Sequence, residues 1–183
     1  MSQVEVKPAE GKSPIGETMK AVVHTKFGPP SVLEFKDVAK PVPDDTRGVL
    51  VRVHASSVNP ADYYAMSAPF VMRLLMRGGL RGPKDPKLGT DMAGTVEAVS
   101  KNVTQFKAGD QVFGVAPGSY AEYATARENK LVLKPANSTF EEAAAVPIAG
   151  FTALQALRDH GGIKSGSRSS TWQPIGRAGG QMT

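Results

Sequence analysis

The chain has no cysteine, which excludes disulfides, thiolate nucleophiles and every zinc site that needs a thiolate ligand. A metal centre would have to be assembled from three histidines, His24, His54 and His160, which lie far apart in the sequence, and from dispersed carboxylates. No apolar run approaches the roughly 20 residues of a membrane span, so no membrane partner is expected. Aromatic residues make up only 7% of the chain, and the densest basic run, Arg73, Arg77, Arg81, Lys84 and Lys87, lacks the interleaved rings on which single-stranded nucleic acid stacks. The net charge of +5 comes from positive residues mixed with Asp and Glu, the pattern of a solvated surface, so no nucleic-acid partner is expected either. The opening stretch, 1–18, has no hydrophobic segment and no arginine but carries Glu5, Glu10 and Glu17. It reads as a disordered leader, which leaves the cytosol as the default compartment.

From Met19 onward the chain is organised in short strands. Met19 to His24 is an apolar strand stopped at Gly28-Pro29-Pro30, and Leu33 to Val38 alternates apolar and charged residues as a half-buried strand does. Val49 to Ala55 is β-branched and nearly continuous, which predicts a central strand. Helical pieces are expected over Asp62–Met66, after the Asn59-Pro60 turn, and over Phe70–Met76, where Val71, Leu74 and Leu75 fall at helical spacing. Thr95–Val99 and Gln111–Val115 read as strands joined through a Lys107-Ala108-Gly109-Asp110 turn, and Ser119–Ala124 and Lys130–Pro135 as two more. The period then changes. Ser138-Thr139-Phe140-Glu141 fits a capping box for a helix that Pro147 interrupts, and a second helix is expected over Phe151–His160, stopped by Gly161-Gly162.

The glycines and acids between Leu88 and Gly114, LGTDMAGTVEAVSKNVTQFKAGDQVFG, form an ordered pattern. Gly89-Thr90-Asp91-Met92-Ala93-Gly94-Thr95-Val96 and Gly109-Asp110-Gln111-Val112-Phe113-Gly114 resemble the G-x-D/E-x-x-G-x-V and G-D-x-V-x-G runs of the GroES-like catalytic domain of medium-chain dehydrogenase/reductases. The likeness is to the zinc-independent, quinone-oxidoreductase-like branch. It implies a mainly β fold with short helices, a GroES-like β barrel over 19–135. A helical connector over 136–166 would lead into a dinucleotide-binding domain.

Zinc-dependent members of the superfamily carry Cys, Gly-His-Glu and Cys at the metal. The corresponding positions here hold Asn59, Thr90 within Gly89-Thr90-Asp91, and Ala149, so no metal is expected. The resemblance implies hydride transfer from NADPH or NADH to a quinone or an enal. Asn59 of the N-P-x-D motif and Thr152 are the candidate cofactor contacts. Asn59 could equally close an Asx turn before Pro60, and Thr152 could cap or pack a helix. Tyr64, with Tyr63 as its competitor, is the candidate catalytic residue, whose phenol would bond a developing oxyanion or relay a proton. An amphipathic ring packed at the surface is the alternative for each. Asp62 is expected to cap or orient its loop, and Phe70, Val71, Leu74, Leu75 and Met76 form either a pocket wall or core.

After Gly166 the family pattern ends. Residues 167–183 have no apolar alternation and no strand feeding Gly176-Arg177-Ala178-Gly179-Gly180, so they read as an aberrant disordered tail rather than a phosphate loop. Without a pyrophosphate-binding helix N-terminus, the 183 residues alone are expected not to bind the cofactor tightly. The rival to an enzyme is therefore an inactive truncated, spliced or frame-shifted fragment, at most a binding module or a homo- or heterodimer partner. A co-chaperone role would rest on fold analogy alone.

Overall fold

The computed structural model describes residues 17–43, 48–67, 83 and 85–164. The β-branched stretch Val49-Leu50-Val51 lies in β3 (Gly48–Ser57), which is flanked on both sides. It pairs antiparallel with β4 (Asp91–Val99), setting Val51 opposite Val96, and with β6 (Tyr123–Arg127), setting Val49 opposite Ala126. β5 (Gln111–Val115) and β7 (Leu131–Leu133) extend the sheet, giving the order β6-β3-β4-β5-β7. A hairpin of β1 (Thr18–His24) and β2 (Leu33–Ala39) forms a second sheet. The fold is mainly β with few short helices, as expected for a GroES-like domain. Among the described residues the sheets do not close into a barrel, however, because β6 and β7 end the larger sheet without pairing with each other.

Both faces of the larger sheet are used. Val49, Val51, Met92, Val96, Phe106, Val112 and Leu131 form the main core. On the other face Ala93 meets Ala143 and Ala144 of α2 (Phe140–Ala144), with Phe140 and Phe113 alongside. Phe140, Ala143 and Ala144 share one face of the helix, and Phe140 also stacks on His54 at a ring separation of 4.3 Å. The capping box closes one residue later than expected. Thr139 Oγ1 accepts the Glu142 N–H (3.1 Å) and Glu142 returns the bond to the Thr139 N–H (2.9 Å). The Ser138 hydroxyl instead donates to the Pro135 carbonyl. Ser138/Glu141 and Thr139/Glu142 have the same spacing, and the later start is the one that turns Phe140 and the alanines onto the sheet.

Other expectations shift for similar reasons. β2 is not half-buried: Leu33 and Phe35 are exposed, since β2 pairs only with β1. The strand expected over Ser119–Ala124 appears as Tyr123–Arg127, because residues 120–122 tie the two sheets together. Val22 donates to the Tyr120 carbonyl (2.8 Å), Glu122 to the Lys20 carbonyl (3.0 Å) and Val53 to the Glu122 carbonyl (2.9 Å). Pro147 does more than interrupt a helix, since it opens α3 (Pro147–Gln155), which is followed by one π-helical turn (Ala156–His160). The chain divides into two compact units, Met1–Phe151 and Thr152–Thr183, and α3 carries the boundary. No helix among the described residues is long and apolar enough to cross a membrane. The helix expected over Phe70–Met76, the basic run apart from Lys87, the leader before Glu17 and the tail over 167–183 lie outside the described residues.

Gly94 marks a close approach of β3 and β4. A Cβ there would sit 2.1 Å from the Arg52 carbonyl oxygen and 2.8 Å from Val51 Cγ1. Backbone cannot yield as a flexible side chain would, so Gly94→Ala is expected to cost about 3 kcal/mol. Urea denaturation measures it, and an unchanged midpoint would show that the strands can part without loss.

Candidate functional site

Asn59 stands at the turn from β3 into α1 (Pro60–Ser67). Pro60 suits the first helical position, where a backbone N–H would have no partner, and Asp62 in the first turn reaches back so that its Oδ2 accepts the Asn59 N–H at 2.8 Å. Asp62 thus orients its loop, as expected. The side chain of Asn59 does not close an Asx turn: its Nδ2 donates to Asp91 Oδ2 at 3.1 Å. Only the NH₂ end of the amide can donate to a carboxylate, so Oδ1 points elsewhere. Among the described residues no donor reaches that oxygen, which is not sealed from solvent.

Asp91, the first residue of β4, is fully buried. Its Oδ2 collects the Ser57 hydroxyl (3.2 Å), the Asn59 amide (3.1 Å) and the Ile148 N–H (3.1 Å), joining the end of β3, the start of α1 and the start of α3. Asp91 Oδ1 is sealed and has no donor among the described residues. Asp62 is similarly supplied: Oδ1 accepts from the Thr90 hydroxyl (3.1 Å), and Oδ2 takes the Tyr120 hydroxyl (2.9 Å) in addition to the Asn59 N–H. Burial, the hydrogen bond to Asp62 and the charges of Asp62 and Asp91 push the Tyr120 hydroxyl well above the ordinary tyrosine range, so it stays protonated and donates. Gly89, at φ 91°, makes room for this, since a Cβ there would lie 2.5 Å from both Tyr120 Cδ1 and Ser119 Oγ. Through these donors the two carboxylates orient the groups around them.

Tyr63 and Tyr64 project from α1 into solvent, 52% and 66% exposed, with their rings edge to face at 6.0 Å. Both hydroxyls are accessible and neither tyrosine joins the carboxylate network, so position does not choose between them. Thr152 is exposed on α3 and belongs to the second unit. Of the positions that the resemblance sets against the zinc ligands of other members, Asn59 and Thr90 donate to carboxylates and Ala149 is exposed. Among the described residues no three His, Cys, Asp or Glu side chains gather to hold a metal. Two open concavities, one lined by Gly48, Val115, Thr125 and Arg127 and the other by Lys40, Leu50 and Glu97, share no residue with the network.

The sequence reading missed Tyr120 as part of the site and gave Asp91 no role beyond the motif. The available signal was Gly89, a motif glycine whose missing side chain needed an occupant for its space.

Comparison with known proteins identifies the family. The alcohol dehydrogenase GroES-like domain model matches residues 45–136, and the chain belongs to that family, within the medium-chain dehydrogenase/reductases. It is 42% identical over 151 residues to a quinone oxidoreductase of Sus scrofa, a match covering 81% of the chain and 43% of that relative. The chain thus spans less than half the length of this curated relative. Among solved structures, the quinone oxidoreductase from Coxiella burnetii is 36% identical with a TM-score of 0.68, covering 78% of this chain and 45% of that one. Mycobacterial Rv1454c complexed with NADPH is 30% identical, also with a TM-score of 0.68, covering 81% and 42%.

Removing the Asp91 carboxylate would strand the Asn59 amide and the Ile148 N–H in the interior. Asp91→Ala is expected to lower stability by about 3 kcal/mol. Chemical denaturation and the exchange rate of the Ile148 amide report it, and wild-type values of both would mean that water replaces the carboxylate without loss.

Proposed function

We propose that this chain supplies the catalytic domain of an NAD(P)H-dependent reductase that acts on quinones or α,β-unsaturated carbonyls without zinc. The observation that carries this reading is the division of labour within Asn59. Its amide is tied to Asp91, which leaves its carbonyl oxygen open to accept a hydrogen bond, and a ribose hydroxyl beside the nicotinamide is a donor of the required kind. The residues therefore fit a dinucleotide at the nicotinamide end. The quinone oxidoreductases similar to the chain, and the relative complexed with NADPH, support the same assignment.

When bound, the reduced nicotinamide supplies the hydride. Asn59 fixes the cofactor ribose through an acceptor that is itself held by Asp91. Tyr64, or Tyr63 beside it, offers an accessible phenol to the substrate oxygen, and solvent or that phenol supplies the proton. Thr152 is assigned to the cofactor by resemblance alone. Catalysis rests mainly on positioning.

A second reading, in which the 183 residues act only as a binding or dimerisation module, is favoured by the pairing of the strands. Every named pair among the described residues is antiparallel, whereas a pyrophosphate anchor of the dinucleotide-binding kind is fed by a parallel strand. Fluorescence titration of the isolated chain with NADPH is accordingly expected to give a Kd of about 1 mM or weaker. Micromolar binding would overturn the inactivity of the isolated chain. To test the activity itself, residues 1–166 are joined to the cofactor-binding remainder of a quinone oxidoreductase. The product should oxidise NADPH with a quinone, and Asn59→Ala should raise the KM for NADPH about tenfold. A folded, NADPH-binding product that reduces neither a quinone nor an enal would remove the reductase reading.

A further inference from the structure

The network contains one group that none of the roles above requires, the Tyr120 hydroxyl. It arrives from the segment between β5 and β6, 58 residues from Asp62 in sequence, and donates to Asp62 Oδ2 at 2.9 Å. That oxygen also accepts the Asn59 N–H at 2.8 Å, and the other oxygen of the same carboxylate is held by Thr90 at 3.1 Å. Three donors from three separate segments thus fix the plane of one carboxylate, where a local helix cap would need only the Asn59 N–H.

Tyr120 is itself firmly seated. Its N–H donates to the Leu88 carbonyl (3.0 Å), its carbonyl accepts from Val22 (2.8 Å), and its ring lies over the space left by Gly89. The hydroxyl is therefore delivered from the junction of the two sheets. Each link onward is a direct hydrogen bond: Tyr120 holds Asp62, Asp62 holds the Asn59 backbone, and the Asn59 side chain lies with its NH₂ end on Asp91.

We infer that Tyr120 is a positioning residue for Asn59, acting through Asp62 to set the direction in which the Asn59 carbonyl faces the cofactor. The inference deepens the reductase reading and rests on it only for the identity of the group that Asn59 meets. A half-buried tyrosine with a purely structural role would contribute to global stability without a particular effect on Asn59.

NMR on the isotope-labelled 183-residue chain tests this. In Tyr120→Phe the Asn59 backbone N–H should exchange about tenfold faster, the loss expected when a hydrogen bond to a charged group is removed. The Asn59 side-chain NH₂ resonances should move, while exchange at Val51 in the central strand changes by less. Tyr123→Phe, on a ring that contacts Lys40 instead, should leave the Asn59 signals in place. Wild-type exchange and shifts at Asn59 in Tyr120→Phe would overturn the inference. So would equal acceleration at Asn59 and Val51, which marks a global effect.

If Tyr120→Phe does not fold, the wild-type chain still decides, because a Tyr120 hydroxyl proton held on Asp62 should be protected from exchange with water, and exchange as fast as that of a free phenol refutes the linkage. Titrating with NADPH the NADPH-binding product in which residues 1–166 are joined to a cofactor-binding remainder, with and without Tyr120→Phe, separates the two claims. Movement of the Asn59 NH₂ signals on adding NADPH, weakened in Tyr120→Phe, supports both. If Tyr120→Phe disturbs Asn59 but NADPH moves no Asn59 signal, the positioning stands and the cofactor assignment fails.

Discussion

A carboxylate taken out of water must be supplied with donors, and the fold around the candidate site is arranged to meet that requirement at Asp91. Left alone in the interior, its charge would cost several kcal/mol. One of its oxygens instead gathers a hydroxyl from the end of β3, an amide from the start of α1 and a backbone N–H from the first turn of α3. The acceptor is at the head of a central strand, so each donor brings its element to the same point. The Ile148 N–H is one of those a helix start leaves unpaired, and a distant side chain caps it in place of a local one.

Asp62 repeats the arrangement on a smaller scale. It closes the start of α1 through the Asn59 N–H, and it reaches Thr90 and Tyr120, so the turn that carries Asn59 is tied both to the residue before the motif acid and to the junction of the two sheets. Two buried acids therefore hold one asparagine from opposite ends. A neutral side chain held in this way is suited to orienting a ligand, and the exposed tyrosines of α1 lie outside the network.

Much of the fold was legible in the residues because its signals are local. The β-branched run at Val49 specifies a buried strand, the charged and apolar alternation of 33–38 a strand, and Asn59-Pro60 a helix start. Where the reading slipped, two local choices were equivalent and packing decided between them. Ser138/Glu141 and Thr139/Glu142 are equally good capping boxes, and the helix took the register that sets Phe140 on His54 and Ala143 and Ala144 on the sheet. Leu33 and Phe35 alternate with charges just as half-buried residues do, yet their strand has one neighbour and they remain exposed.

By itself the sequence determined the order and type of most elements, the absence of any thiolate ligand, and the family motif from Gly89 to Gly114. These follow from residue types and short spacings. Tertiary structure alone decided that the Asn59 amide would go to Asp91 and not to its own turn, that Tyr120 would be the hydroxyl on Asp62, and that the sheets formed by the described residues would stay open. The reason is range. A hydrogen bond between residues 32 or 58 apart leaves no periodic trace in the chain. It forms because burying two acids obliges the fold to find donors wherever packing brings them.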